Sequence, residues 1–171
     1  VMVEVNCETD FVAKNDSFRE FCSGVAKTLV EEPQVDFEAI RTSQVTKVGE
    51  NIQIGRHSTL EVEGSGMVAA YIHTGAKVGV LVEVGAGKDE TTSQDAFKSL
   101  VKDITLQIAA ANPTCVSRES VDPDLIAKEK EIAAEQFKDK PAQAVEQILK
   151  GKMEKFFQNI CLVDQGFVKQ N

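Results

Sequence analysis

Apolar and polar residues alternate from Val1 through Val3 and Val5, so Val1 to Asn6 reads as a strand with one buried face. The period then changes. From Ser17 to Glu31 or Glu32, apolar residues fall at helical spacing: Phe18, Phe21, Cys22, Val25, Leu29, with Ala26 beside them. Ser17-Phe18-Arg19-Glu20 has the form of a capping box, and Pro33 stops the helix. Between strand and helix lies a polar connection, Asn6 to Asn15, holding one large aromatic, Phe11, beside one carboxylate, Asp10. Connections run over the surface. A ring there either folds back into its own core or is presented to something else, and the residues alone leave both open.

A short helix is expected around Phe37 to Gln44, capped by Asp36. Ile52, Ile54, Leu60 and Val62 suggest extended segments, broken at Gly55 and closed by Gly64-Ser65-Gly66. Met67 to His73 and Lys77 to Val84 are β-rich runs joined by Thr74-Gly75-Ala76, a clear hairpin signal. The nearly all-apolar run Val78 to Val82 reads as a central strand. A polar loop from Gly85 to Ser93 precedes a helix to Ala111, with Phe97, Val101, Ile104 and Ile108 on one face and Asn112-Pro113 as its stop. Strand-loop-helix thus occurs at Val1 to Glu31 and again at Val78 to Ala111, a weak internal echo.

From Asp122 to Gln158 the stripes narrow. Leu125, Glu129, Ile132 and Phe137 line one helix; Val145, Ile148, Met153 and Phe156 line another. Lys138-Asp139-Lys140-Pro141 joins them, with Pro141 suited to a first turn. Charges of both signs flank each stripe, so the pair reads as an antiparallel helical hairpin projecting from the body. Ile160 to Asn171 returns to an extended pattern. The fold class is therefore α+β: two small sheet-plus-helix subdomains with an antiparallel, coiled-coil-like hairpin. The divisions are 1–72, 73–121, 122–158 and 159–171.

Composition narrows the partners. The chain has 171 residues and a formal net charge of −8. Residues 1–65 alone hold 6 Lys+Arg against 12 Asp+Glu. Such a surface repels phosphate backbones and anionic membranes, arguing against both as main partners. No apolar run approaches the roughly 18 residues of a spanning helix. Cys7, Cys22, Cys115 and Cys161 form no C-x-x-C pair, and His57 and His73 are the two histidines. The cysteines read as reduced small hydrophobes in a reducing compartment; no metal or cofactor is expected.

Candidate chemistry is sparse. Gly85-Ala86-Gly87-Lys88 follows a strand as a phosphate loop would. The template requires Gly where Val82 stands and Ser or Thr where Asp89 stands, so an ordinary glycine loop is expected. No carboxylate pair is framed for acid–base work, and neither histidine has a nucleophile motif near it. His73 alone reads as a solvated hairpin histidine.

Thr9-Asp10-Phe11-Val12-Ala13-Lys14-Asn15, preceded by Val3-Glu4-Val5-Asn6-Cys7, resembles the signature of the elongation factor Ts family. Ordered matches follow at Lys47 to Ile52, His73 to Leu81, Ile108-Ala109-Ala110 with Pro113, Lys150 to Phe157, and Gln165 to Val168. The resemblance implies a guanine-nucleotide exchange factor with no reaction of its own. Its partner would be elongation factor Tu. Thr9, Asp10, Phe11 and Val12 would dislodge the partner's magnesium, and His73 would belong to a second contact surface. A coiled-coil protrusion sits in the family where residues 122–158 lie here. Two departures stand out: the family's N-terminal helical domain does not precede Val1, and Gly166 stands where Pro is common. The setting implied is the cytoplasm, or alternatively the chloroplast stroma or mitochondrial matrix; oligomeric state is left open. A scaffold protein that kept the fold and lost exchange is the alternative.

Overall fold

The computed structural model describes residues 1–137 and 139–169. The expected joint residue Lys138 and the terminal Gln170 and Asn171 lie outside the described residues. Mixed helices and two small antiparallel two-stranded sheets make this an α+β chain. It divides into two compact units, Val1–Thr105 and Leu106–Asn171.

In the first unit, β1 (Met2–Asn6) pairs antiparallel with β2 (Gln53–Ser58). The register shifts between Val3 and Val5. Gly55 does not break β2 but lies within it, a position from which an added Cβ would stand 3.5 Å from the Glu4 carbonyl oxygen. Between the strands in sequence come α1 (Asp10–Lys14), α2 (Asp16–Glu31) and α3 (Glu38–Val48). Helix α2 packs on β1 and buries Phe18, Val25 and Leu29, the predicted stripe. Its cap differs from expectation. Asn15, not Ser17, is the N-cap, and its Oδ1 accepts the Ser17 N–H at 2.8 Å. An Asn ahead of the Ser reaches the first free amide itself, so no capping box forms.

Asp36 Oδ1 accepts the Glu38 N–H at 2.9 Å at the start of α3. The helix outruns the expected Gln44 because nothing stops it before Gly49, whose φ of 76° supplies a left-handed C-cap. Ile52, 0% exposed, follows directly and anchors the return into β2. Residues 59–63 join no strand, correcting the extended reading of Leu60 and Val62.

The predicted hairpin is present as β3 (Gly66–Ile72) and β4 (Gly79–Gly85), in continuous register. Among the described residues its sheet has two strands, so β4 is not central. Val80 is buried because one face of the ribbon is covered, not because strands flank both sides. A Cβ at Gly79 would stand 2.7 Å from the Met2 sulfur, so β4 runs close against β1. Residues 85–93 are not all loop. Asp89 to Ser93 forms a short helix, α4, and the Ser65 hydroxyl donates to the Asp89 carboxylate. The side chain that opposed a phosphate reading thus holds the hairpin's exit. Helix α5 (Asp95–Ala111) buries Phe97 and Val101, and the boundary between the units falls within it.

In the second unit, α6 (Pro123–Gln136) and α7 (Ala142–Ile160) pack on one another as the expected hairpin. Pro123 occupies the first turn of α6; Pro141 caps α7 rather than entering it. The α6 stripe is rotated from expectation. Leu125 and Ile132 are exposed, and Ala133 is the buried position. A small residue lets the helices approach closely, and that face wins over the bulkier one. Cys161 makes a parallel bridge to Cys115, and residues 162–164 then turn as a 3₁₀ helix, so the last segment is extended only in part.

Two polar clusters hold this unit. Arg118 donates to Asp164 (2.6 and 3.0 Å) and Glu154 (2.6 and 3.0 Å), with its guanidinium 4.9 Å from the Phe157 ring centroid. Gln107, buried, accepts the Val168 N–H and donates to the Gln165 side chain and the Gly166 carbonyl. The Arg118 hydrogen bonds, and then its charge, hold the Asp164 and Glu154 carboxyls below their ordinary range. A carboxyl depressed on folding adds stability that is full above its unfolded pKa of about 4 and is lost as pH falls through the folded value. Urea midpoints at pH 7 and pH 3 are therefore expected to fall further for the wild type than for Arg118→Met. Equal falls would exclude this cluster as the source.

Candidate functional site

The site is built on α1, a single turn of helix where sequence reasoning expected a loop. Thr9 makes the turn possible. Its hydroxyl accepts the Val12 N–H at 3.3 Å and donates to Glu50 Oε1. The other Glu50 oxygen accepts the backbone N–H groups of Thr9 (2.9 Å) and Glu8 (3.1 Å). One carboxylate thus satisfies three donors at the entry to the helix. The Thr9 hydrogen bonds hold the Glu50 carboxyl below its usual range, so it is ionised at neutral pH.

The far end of α1 is fixed by Asn15. Its N–H donates to the Val12 carbonyl at 2.9 Å, closing α1, while its side chain opens α2. Asn15 alone separates the two helices, with both its N–H and its side chain hydrogen-bonded, and the helices pack on each other. Asp10 and Lys14, four residues apart, form an ion pair at 2.6 Å on the exposed side. The Lys14 hydrogen bond and charge, with a smaller contribution from Lys77, hold the Asp10 carboxyl low.

Held at both ends, α1 presents its ring outward. Phe11 is 83% exposed, and of the two courses the sequence left open it takes the outward one. Val12 is half-buried and seats the turn. Thr9, Asp10, Phe11 and Val12 are therefore together on one turn, with different tasks: Thr9 caps, Val12 seats, Asp10 and Phe11 face out.

His73 stands elsewhere, in the exposed turn between β3 and β4. Its N–H donates to the Val78 carbonyl at 2.9 Å, and its carbonyl accepts the Ala76 N–H at 2.8 Å. Nδ1 lies 2.8 Å from the Tyr71 hydroxyl, which orients the ring. Lys77 belongs to this same turn, and its charge reaches Asp10, so the turn and α1 lie within electrostatic range of each other. Ile72 and Val78 beside His73 are exposed apolar side chains. Ile72, Val78 and Glu50 carry no pattern in the sequence that assigns them a task, although Glu50 and Val78 fall inside the stretches that resemble the family. A glutamate directly after a glycine helix stop was the available signal for Glu50. Among the described residues no group of three or more His, Cys, Asp or Glu could hold a metal ion, and no helix is long and apolar enough to cross a membrane.

A sequence profile of the family described as elongation factor Ts matches residues 8–171. The chain belongs to the elongation factor Ts family. It is 39% identical to the elongation factor Ts of Nautilia profundicola, over 98% of this chain and 59% of the relative. The Trichlorobacter lovleyi protein of that name is 38% identical over 99% of this chain and 60% of its own length. That of Clostridium novyi is 36% identical over 100% and 60%. The chain thus spans about 60% of the length of these curated relatives.

The Glu50 clamp makes a direct expectation. In Glu50→Ala the Glu8 and Thr9 amides should exchange with deuterium about tenfold faster or more, since their acceptor is gone. Core amides of α2 should keep their rates. Unchanged exchange at residues 8 and 9 would remove Glu50 from the site.

Proposed function

We propose that this chain is the nucleotide-exchange part of an elongation factor Ts, acting in the cytoplasm on elongation factor Tu. The observation that carries the proposal is the exposed Phe11 ring on a turn of helix fixed at both ends. Family membership supplies the partner; the geometry of α1 supplies the means. A large apolar side chain in water with its backbone held still loses only its own rotamer freedom on entering a pocket, because the backbone ordering cost is already met in folding. Beside it, the ionised Asp10 carries charge that can compete for the neighbourhood of a bound cation.

The action needs no reaction by this chain. Magnesium bound to nucleotide phosphates requires near-ideal octahedral geometry. A wedge that displaces its ligands slightly weakens nucleotide binding. By linkage, a protein that binds the nucleotide-free partner best must lower nucleotide affinity by the same coupling energy. Thr9, Asp10, Phe11 and Val12 form the wedge. His73, held by Tyr71 and flanked by exposed Ile72 and Val78, adds a second contact. We propose no cofactor, and no nucleic acid as direct partner, consistent with the net charge of −8.

The test is release of labelled guanosine diphosphate from elongation factor Tu. Wild type should accelerate release, and Phe11→Ala should lose about tenfold or more of that acceleration, as for the loss of a central anchor. No acceleration by wild type would refute exchange; equal acceleration by both proteins would refute the wedge.

A further inference from the structure

Two cysteines with no part in the proposed exchange surface lie against each other in the second unit. Cys115 follows α5, in the segment Asn112 to Ser117; Cys161 caps the C-terminus of α7. They are 46 residues apart in sequence and face each other across a parallel β-bridge. Their sulfurs are 3.7 Å apart. The segment is paired well beyond the cysteines. Thr114 and Cys115 N–H groups donate to the Ile160 carbonyl, Leu162 N–H to the Cys115 carbonyl, and Val163 N–H to the Val116 carbonyl. Both thiols are free.

This is a backbone already set for a covalent bond. Neighbours on paired strands lie about 4.8 Å apart at Cα, inside the window of about 4.4–6.8 Å that disulfides occupy. The sulfurs need to close to about 2 Å, which small side-chain rotations provide without moving the ladder. We propose that Cys115 and Cys161 form a peroxide-responsive dithiol, which on oxidation staples the two ends of the α6–α7 hairpin by an intrachain disulfide. This inference is independent of the exchange reading.

The roles of the two sulfurs differ by exposure. Cys161 is 0% exposed, and burial together with the neighbouring Cys115 pushes its thiol up to about 11. Cys115 is partly exposed and meets the oxidant first. Its thiolate attacks one oxygen of hydrogen peroxide; the O–O bond breaks, giving a sulfenic acid on Cys115 and hydroxide, which takes up the thiol proton as water. Cys161 sulfur then attacks the Cys115 sulfur. The S–S bond forms, the S–O bond breaks, and hydroxide leaves with the Cys161 proton as a second water. Two thiols lose two electrons; one peroxide gains them. A thiol reductant reverses the state by exchange. In a reducing compartment such a bond is transient, as befits a sensor rather than a structural link.

The test uses the whole chain treated with hydrogen peroxide. Two of the four thiols should become unreactive to a thiol probe in denaturant, and non-reducing peptide mapping should join the Cys115 and Cys161 peptides. The unfolding midpoint should rise by roughly 5 °C or more, because a long loop is closed in the unfolded chain. Dithiothreitol should restore four thiols and the original midpoint. Cys115→Ala should abolish the change, and a Cys7→Ala, Cys22→Ala double variant should keep it. The mapping on wild type stands even where a buried substitution at Cys161 prevents folding. Four reactive thiols after treatment that oxidises a control dithiol peptide would overturn the proposal. So would a cross-link through Cys7 or Cys22, or an oxidised protein melting no higher than the reduced one.

Discussion

The first unit depends on where one carboxylate is delivered. Helix α3 ends at Gly49 because a left-handed residue turns the chain there, and the next side chain, Glu50, points at the start of α1. A helix entry leaves several N–H groups without partners. At α1 these are scarce resources, since five residues make too short a helix to hold itself in water. Glu50 takes the Glu8 and Thr9 amides and the Thr9 hydroxyl together. Charged acceptors make stronger hydrogen bonds than neutral ones, which is why an acid at this point does what a carbonyl could not. Remove it and Asp10 and Phe11 become residues of a loop.

The second unit uses the same device with the charges reversed. Arg118 reaches two acids, Asp164 through Nε and Nη2 and Glu154 on α7 through Nη1 and Nη2, and lies over Phe157. Its planar fork serves both partners at once, which a lysine's point charge would not. Gln107 and Gln165 complete the closure, each both donating and accepting. These groups determine where the chain goes after α7, and their placement brings Cys161 beside Cys115. The dithiol is a by-product of the polar frame as much as of the strand bridge.

How much of this was legible in the sequence depends on the range of the forces involved. Helices α2 and α5 and the β3–β4 hairpin follow from periodicity and turn residues, which act locally. The one-turn helices α1 and α4 are invisible to periodicity because five residues span too little of a period. Their caps gave the remaining signal: Thr9 before Asp10, and acids in the first turn of α4. The stripe of α6 departs from its pattern because burial there is settled by a small residue, Ala133, whereas periodicity weights large ones. Nothing in the sequence pairs Glu50 with Thr9 or Cys115 with Cys161. Those meet through tertiary structure alone, across 41 and 46 residues.

Why α1 is short and doubly fixed, instead of being an extended loop, has a physical answer on the proposed reading. A wedge works by difference: it must fit the nucleotide-free partner better than the nucleotide-bound one. A loop could adjust to either state and would bind both nearly alike, shifting nothing. On that reading a ring that cannot retreat would make the two states unequal, colliding in the nucleotide-bound partner and packing in the free one. The same argument sets the support. Phe11 is carried on a turn joined to α2 through Asn15 and packed against it, and α2 is seated by Phe18, Val25 and Leu29. Force on the ring is therefore borne by the unit's core, not relieved in a hinge. Rigidity of the backbone and exposure of the side chain are ordinarily opposed in a small domain, and the Glu50 clamp is what allows both at Phe11.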